Sequence, residues 1–255
     1  MAAVGDIHCT RDSHDALKEL FAAAGRAADV LLLAGDLTDY GLPEEARVLA
    51  GELSAARVPV VAVLGNHDYE SGKPREVASI LERAGVKILD GDAVEIEGVG
   101  FAGSKGFAGG FGSHVLGAWG EPPIKEFVQA AIDEALKLET ALARLRTQER
   151  VVLLHYSPTE TTVRGEPEPI YPFLGSTRLE EPIDRFGPTV VFHGHAHHGS
   201  LEGETRGGVP VYNVALPLLR EAGRDPAFHL LELPARATLD ELAEPAARGR
   251  HERPS

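Results

Sequence analysis

Apolar residues along the chain fall into two kinds of run. Short, wholly apolar stretches bounded by glycine and polar clusters alternate with longer segments whose apolar residues recur every three or four positions. The first kind predicts buried strands and the second amphipathic helices, and their alternation predicts an α/β fold. Leu17, Leu20, Phe21 and Ala24 share one face of a helix predicted over 13–24 and ended by Gly25. Val30 to Ala34 and Val58 to Leu64 read as central strands, with a helix between them opened by Pro43, where the missing N–H costs little. A third helix runs from Pro74 to Ala84 and is capped by Gly85.

After Val86 the runs shorten to 86–89, 93–97 and 99–102, with turn signals at Gly91-Asp92 and Gly98, which predicts a second sheet. Lys105 to Pro123 is rich in glycine with scattered aromatics, a composition that suits a flap over a site. Ile124 to Arg146 carries the longest apolar stripe and predicts a helix packed on that sheet. Strands follow at 151–155 and 189–193, with a Pro-rich stretch and a short helix between them. A hairpin pairs 200–205 with 209–215, and a last strand spans 228–233. Residues 1–233 are thus expected to form one domain, with 234–255 a poorly ordered tail.

With 255 residues and 43% hydrophobic content, the chain can bury one large core. No window reaches the roughly 18–20 apolar residues of a spanning helix, so no membrane partner is expected. The N-terminus lacks the charged start and apolar stretch of a signal peptide. A single cysteine, Cys9, forms no intrachain disulfide, so a cytoplasmic setting is the simpler expectation, with a periplasmic one also compatible. The net charge of −14 repels a polyanion and argues against nucleic acid, leaving Arg164, Arg178 and Arg185 as the residues that could form a local basic patch. Carboxylates that bind divalent cations are partly neutralised, so the sign is compatible with a small phosphorylated substrate. Nothing in the pattern bears on oligomeric state.

Five clusters each follow a strand candidate: Gly5-Asp6-Ile7-His8, Gly35-Asp36-Leu37-Thr38-Asp39, Gly65-Asn66-His67-Asp68, His155, and Gly194-His195-Ala196-His197. Ligands of open α/β sheets bind beyond the carboxyl ends of strands, so such residues converge although far apart in sequence. Singly each is an ordinary turn or cap residue. Together they place carboxylate, imidazole and amide donors suited to divalent metals at successive strand ends.

In these motifs and their order the sequence resembles the calcineurin-like metallophosphoesterase family, over about Val4 to Ala215. The resemblance implies a four-layer α/β/β/α sandwich with two mixed β-sheets. It implies that Asp6, His8, Asp36 and His197 bind one metal and Asp36, Asn66, His155 and His195 the other. Two cations about 3.5–4 Å apart share a water and generate a bridging hydroxide near neutral pH. His67 matches the histidine that contacts the scissile phosphate and protonates the leaving oxygen, and Asp39 the carboxylate that orients it. Asp68 is either an acceptor that holds a ligand or a turn residue. A donor set without thiolate favours manganese, iron or zinc, with cobalt or nickel also accepted, and Cys9 reads as a small buried residue. His14, His114, His198, His229 and His251 fall outside the motifs, with His114 the first exception to consider.

Rival motifs are weaker. Gly98 to Gly103 fits a dinucleotide-binding glycine pattern but opens no helix, Gly72-Lys73 is followed by Pro74, and no Gly-x-Ser-x-Gly elbow exists. A non-catalytic scaffold of the same family would be expected to lack ligands, and here every ligand position is filled. Tyr40 stands where protein phosphatases of the family carry arginine, so the chain looks more like bacterial phosphodiesterases acting on a small metabolite or nucleotide. Phosphomonoesterase and pyrophosphatase are the alternatives for the same site.

Overall fold

The computed structural model describes residues 1–233, and the predicted tail at 234–255 lies outside the described residues. The apolar runs form strands β1 (Ala2–Val4), β2 (Leu31–Ala34), β3 (Val60–Val63) and β4 (Val86–Ile88), paired in parallel in that order. All residues of β1, β2 and β3 are buried, because both faces of this sheet are covered. The second sheet contains β5 (Asp92–Ile96), β6 (Val99–Gly103), β7 (Glu149–Leu153), β8 (Val190–His193), β9 (Glu202–Glu204) and β10 (Pro210–Asn213), in spatial order β5-β6-β7-β8-β10-β9. Its edge pairs are antiparallel and its inner pairs parallel. Strand β11 (His229–Leu230) returns antiparallel to β1, so both sheets are mixed.

Helices α1 (Lys18–Ala27), α2 (Pro43–Leu53) and α3 (Pro74–Arg83) contribute Phe21, Ala24, Leu49, Val77 and Leu81 to a core that also holds Phe101, Val151, Leu153 and Phe192 of the second sheet. The alternate residues Ala102, Val152, Leu154 and Val191 face a separate core with Leu138 and Leu142 of α4 (Pro122–Arg144). Helix α5 (Tyr171–Leu174) is a single turn. Leu179 and Ile183 of α6 (Thr177–Phe186) complete the second core. Period-two alternation through the second sheet therefore separates two apolar layers, and the expected α/β/β/α sandwich is the observed one. Each fully buried Leu or Phe contributes about 1.5–3 kcal/mol.

Three local expectations change. The first helix starts at Lys18, not Ser13, because the carboxylate of Glu52 on α2 accepts the Asp15 and Leu17 N–H groups at 2.9 and 3.0 Å and caps it from another element. Gly25 does not end that helix, which continues to Ala27. A Cβ there would lie 1.7 Å from the Ala56 carbonyl oxygen, so the glycine permits close packing. Helix α7 (Leu216–Glu221) arises in a stretch for which the sequence predicted no element.

Candidate metal centre

The carboxyl ends of β1, β2, β3, β7 and β8 bring the five clusters together, and loop backbones fix their spacing. Asp6 N–H donates to the Gly35 carbonyl at 2.9 Å, His8 N–H to Asp36 at 3.0 Å, and Gly194 N–H to His155 at 3.1 Å. Asp6, His8, Asp36 and His195 all have φ between 47° and 69°, a left-handed conformation that costs a non-glycine residue roughly 1–3 kcal/mol unless its surroundings enforce it. Two glycines of the motifs are fixed by contact. A Cβ on Gly65 would lie 2.1 Å from Asp36 Oδ1, and one on Gly194 would lie 2.1 Å from Asp6 Oδ2.

The side chains form three overlapping groups: His8, Asp36 and His67 are one, and the other two fall within the expected ligand sets. Asp6, His8 and His197 offer ligand atoms within 4.8 Å of one another, as do Asp36, His155 and His195. Asp6 Oδ1 is 3.0 Å from His197 Nε2, and the Asp6 carboxylate accepts the His195 backbone N–H. Asp36 faces both of the latter groups, with Oδ1 3.4 Å from His155 Nε2 and Oδ2 3.9 Å from His8 Nε2. Asn66 Oδ1 lies 2.8 Å from His155 Nε2. His8 supplies a test of fit: its Nδ1 is 3.2 Å from Asp39 Oδ1, while its buried Nε2 has no hydrogen-bond partner. An imidazole held by one nitrogen with the other orphaned among carboxylates is arranged as a metal ligand is.

Asp39 differs from the expectation that its carboxylate orients His67. That carboxylate is closest to His8, and lies 4.0 Å from His67 Nδ1. It is the backbone carbonyl of Asp39 that accepts the His67 Nδ1–H at 2.7 Å. His67 also donates its backbone N–H to Asp36 Oδ1 at 2.9 Å. Asp68 is fully buried and accepts four hydrogen bonds, from Leu37 N–H, Thr38 N–H and hydroxyl, and Gly65 N–H, at 2.6–3.1 Å. It clamps the loop after β2 to the loop after β3.

Charge follows from these contacts. Burial pushes the Asp6 carboxyl up, but the His197 hydrogen bond and the nearby His155 outweigh it and leave the group below its ordinary value, with His197 correspondingly raised. Burial pushes His195 down to about 3 and His193 down to about 4. His193 has a positioning role that the motifs did not suggest. Fully buried, it lies 2.7 Å from the Thr162 hydroxyl and 2.7 Å from the Gly194 carbonyl, tying the loop after β7 to the Gly194-to-His197 turn. Its only signal in the sequence is a polar residue ending an apolar run. Cys9 is buried and its thiol is pushed up to about 11 by burial, as suits a small core residue.

The Gly-rich segment after Lys105 packs on the stretch before α6. Gly109 N–H donates to Pro172 at 2.7 Å, Thr177 N–H to Gly110 at 3.1 Å, and Arg178 reaches the Leu116 carbonyl at 2.8 Å. Phe111, Val163, Leu174 and Ala196 form a small core beneath. This unit reaches the site through the Phe173 carbonyl, 3.2 Å from His195 Nε2. Of the three arginines, Arg164 pairs with Glu160, Arg185 with Glu139, and Arg178 is held at the Leu116 carbonyl. Among the other histidines, His14, His114 and His198 are exposed, His229 packs 4.2 Å from the Tyr212 ring, and His251 lies outside the described residues.

A two-sheet sandwich with Asp, His and Asn side chains converging from five strand ends defines a metal-dependent hydrolase. Residues 1–199 match the calcineurin-like phosphoesterase family, and the chain belongs to it. It is therefore an enzyme of metal-dependent phosphoester hydrolysis. Among solved structures, TT1561 of Thermus thermophilus is 20% identical with a TM-score of 0.54, covering 86% of this chain and 89% of that one. A purple acid phosphatase from yellow lupin is 13% identical with a TM-score of 0.52, covering 84% of this chain but 43% of the lupin chain. No curated protein matches the sequence. Among the described residues no helix is long and apolar enough to cross a membrane.

Proposed function

We propose that the chain is a binuclear phosphodiesterase acting on a small phosphorylated metabolite or nucleotide. In this reading Asp6, His8, Asp36 and His197 hold one cation, and Asp36, Asn66, His155 and His195 the other. The observation that carries it is the placement of Asp36, whose two oxygens face His155 and His8 at 3.4 and 3.9 Å. The nitrogen and oxygen donors favour manganese, iron or zinc, with cobalt or nickel also accepted. When bound, two such cations supply Lewis acidity toward phosphoryl oxygens and a water of lowered pKa.

The protein's own groups do the rest. The Asp39 carbonyl accepts only, so His67 Nδ1 carries its proton, and the proton on Nε2 in the imidazolium form is the one transferred to the leaving oxygen. The Asp39 carboxylate holds His8 by Nδ1 and leaves Nε2 to ligate. Asp68 holds the loops that carry Asp36 and His67 in fixed register. Tyr40, in place of the phosphatase arginine, supports a diester over a phosphoprotein.

A metal-reconstituted assay would compare a chromogenic monoester, a diester, cyclic nucleotides and a nucleotide-sugar pyrophosphate. Fastest turnover of a diester or cyclic nucleotide is expected. Activity on the monoester or the pyrophosphate alone would overturn the diester assignment, and no hydrolysis at full metal occupancy would point to a scaffold.

A further inference from the structure

A cavity of about 270 Å³ lies beside the metal centre, lined by Leu64, Tyr69, Arg75, Leu89, Asp90 and Lys105 among others. Two chain segments join it to the site. Leu64 precedes Gly65 and Asn66, and Tyr69 closes the turn that begins at Asn66, donating its N–H to the Asn66 carbonyl at 3.1 Å. The Lys105 carbonyl accepts the N–H groups of both His155 and Tyr156 at 3.1 Å.

The Lys105 ammonium lies 5.5, 4.8 and 5.0 Å from the ring centroids of Tyr69, Phe107 and Tyr156. The Tyr156 ring is in turn 5.4 Å from His155 and 4.4 Å from His195. One aromatic ring therefore separates this cation from two imidazoles of the centre. Among the described residues its only hydrogen bond is to the Gly106 carbonyl at 2.8 Å, and it joins no ion pair, although an ammonium has three donors. The carboxylates that act on it at longer range are Glu134, Asp90 and Asp36, and none is paired with it: Asp90 and Glu134 both pair with Lys137, at 2.7 and 2.9 Å, and Glu134 also accepts the Gly106 N–H. Burial accordingly lowers the pKa of Lys105 from its ordinary value. Arg75, exposed on the cavity wall, also has no ion-pair partner among the described residues. Lys105 and Arg75 thus place two cations without a carboxylate partner in one cavity, whose acidic lining residue, Asp90, is held by Lys137.

We propose that this cavity binds a second anionic group of the substrate, a phosphate or carboxylate beyond the scissile phosphorus, through Lys105 and Arg75. At about 270 Å³ it is smaller than the roughly 300–1,000 Å³ of sites that enclose a whole ligand, so it receives one group while the scissile phosphorus stays at the centre. The aromatic cage holds the ammonium in place, so binding an anion costs little reorganisation. The identity of the scissile bond rests on the phosphodiesterase reading; the anion site does not.

Two measurements separate the two. Metal-free protein titrated calorimetrically with inorganic phosphate, and separately with malonate, should bind at least one of them. Binding should weaken about tenfold or more in Lys105→Met and measurably in Arg75→Glu, as expected when a hydrogen bond to a charged group is lost. Arg75 is exposed, so its variant keeps the test decisive if Lys105→Met does not fold. Absence of binding in the wild type, or binding unchanged in the folded variants, overturns the inference. On the reconstituted enzyme, carboxyethyl p-nitrophenyl phosphate should be preferred over the methyl diester through KM, and Lys105→Met should erase that preference. Anion binding without hydrolysis of either diester would sink the diester reading alone.

Discussion

The carboxylate of Asp39 lies 3.2 Å from Nδ1 of His8, while the backbone carbonyl of the same residue holds His67 at 2.7 Å. One residue thus orients two histidines by different groups, and a substitution can separate them. Asp39→Ala removes the support of His8 and keeps that of His67. The expected result is metal affinity lowered about 10–100-fold, the usual effect of losing a ligand's hydrogen-bond partner, with a smaller loss of kcat at saturating metal. Metal titration beside steady-state kinetics checks it; a kcat loss with unchanged metal affinity contradicts it.

Asp36→Asn weakens the shared anionic ligand of the proposed centre. Metal analysis should find fewer than two ions per chain and turnover should be abolished, whereas wild-type turnover in that variant would rule out the mechanism.

His67→Ala should lower kcat by about 10²–10⁴ for a substrate with an alkoxide leaving group, the range for removal of a general acid. The loss should shrink for p-nitrophenyl esters, whose leaving group departs without protonation. Equal losses for both would place His67 in substrate binding.

Asp68→Ala leaves the N–H groups of Leu37, Thr38 and Gly65 without their acceptor in a fully buried position. Each unsatisfied buried donor costs about 1–3 kcal/mol, so a destabilisation of about 3 kcal/mol or more is expected in urea unfolding. A change under about 1 kcal/mol would show that the loops are held by other contacts.

In the metal-free protein His197 is raised by its hydrogen bond to Asp6, and His195 is lowered by burial to about 3. A raised histidine stabilises the fold fully below the unfolded value near 6.5, and this contribution is lost as pH rises through the folded pKa. A cation at the Asp6, His8 and His197 group must displace that proton; His195 holds none to displace at neutral pH. Lowering pH from 8 toward 6 should therefore weaken the Asp6 group before the His195 group, read as two separating steps in metal titrations. Loss of both ions in one step would contradict the assignment.

The strand-end motifs were legible because each combines a local backbone demand with a donor side chain. A glycine permits the sharp exit, and the following Asp, His or Asn is placed where another strand end delivers its partner. Periodicity likewise gave most strands and helices, and the shift after Val86 marked the second sheet. The errors lay where a distant element decided the outcome. Glu52 sets the start of α1, and Ala56 explains Gly25. No periodicity reports either contact.

By itself the sequence determined the α/β class, the two sheets and the set of residues that could meet at the centre, since burial pattern and donor chemistry are written locally. Only the tertiary structure decided which atom serves which partner. Asp39 turns its carboxylate to His8 and its carbonyl to His67, Asp68 gathers donors from two loops, and Lys105 comes to rest against Tyr69 and Tyr156 from two other segments. Each depends on contacts of a few ångströms between residues distant in sequence, and those distances exist only once both sheets have packed.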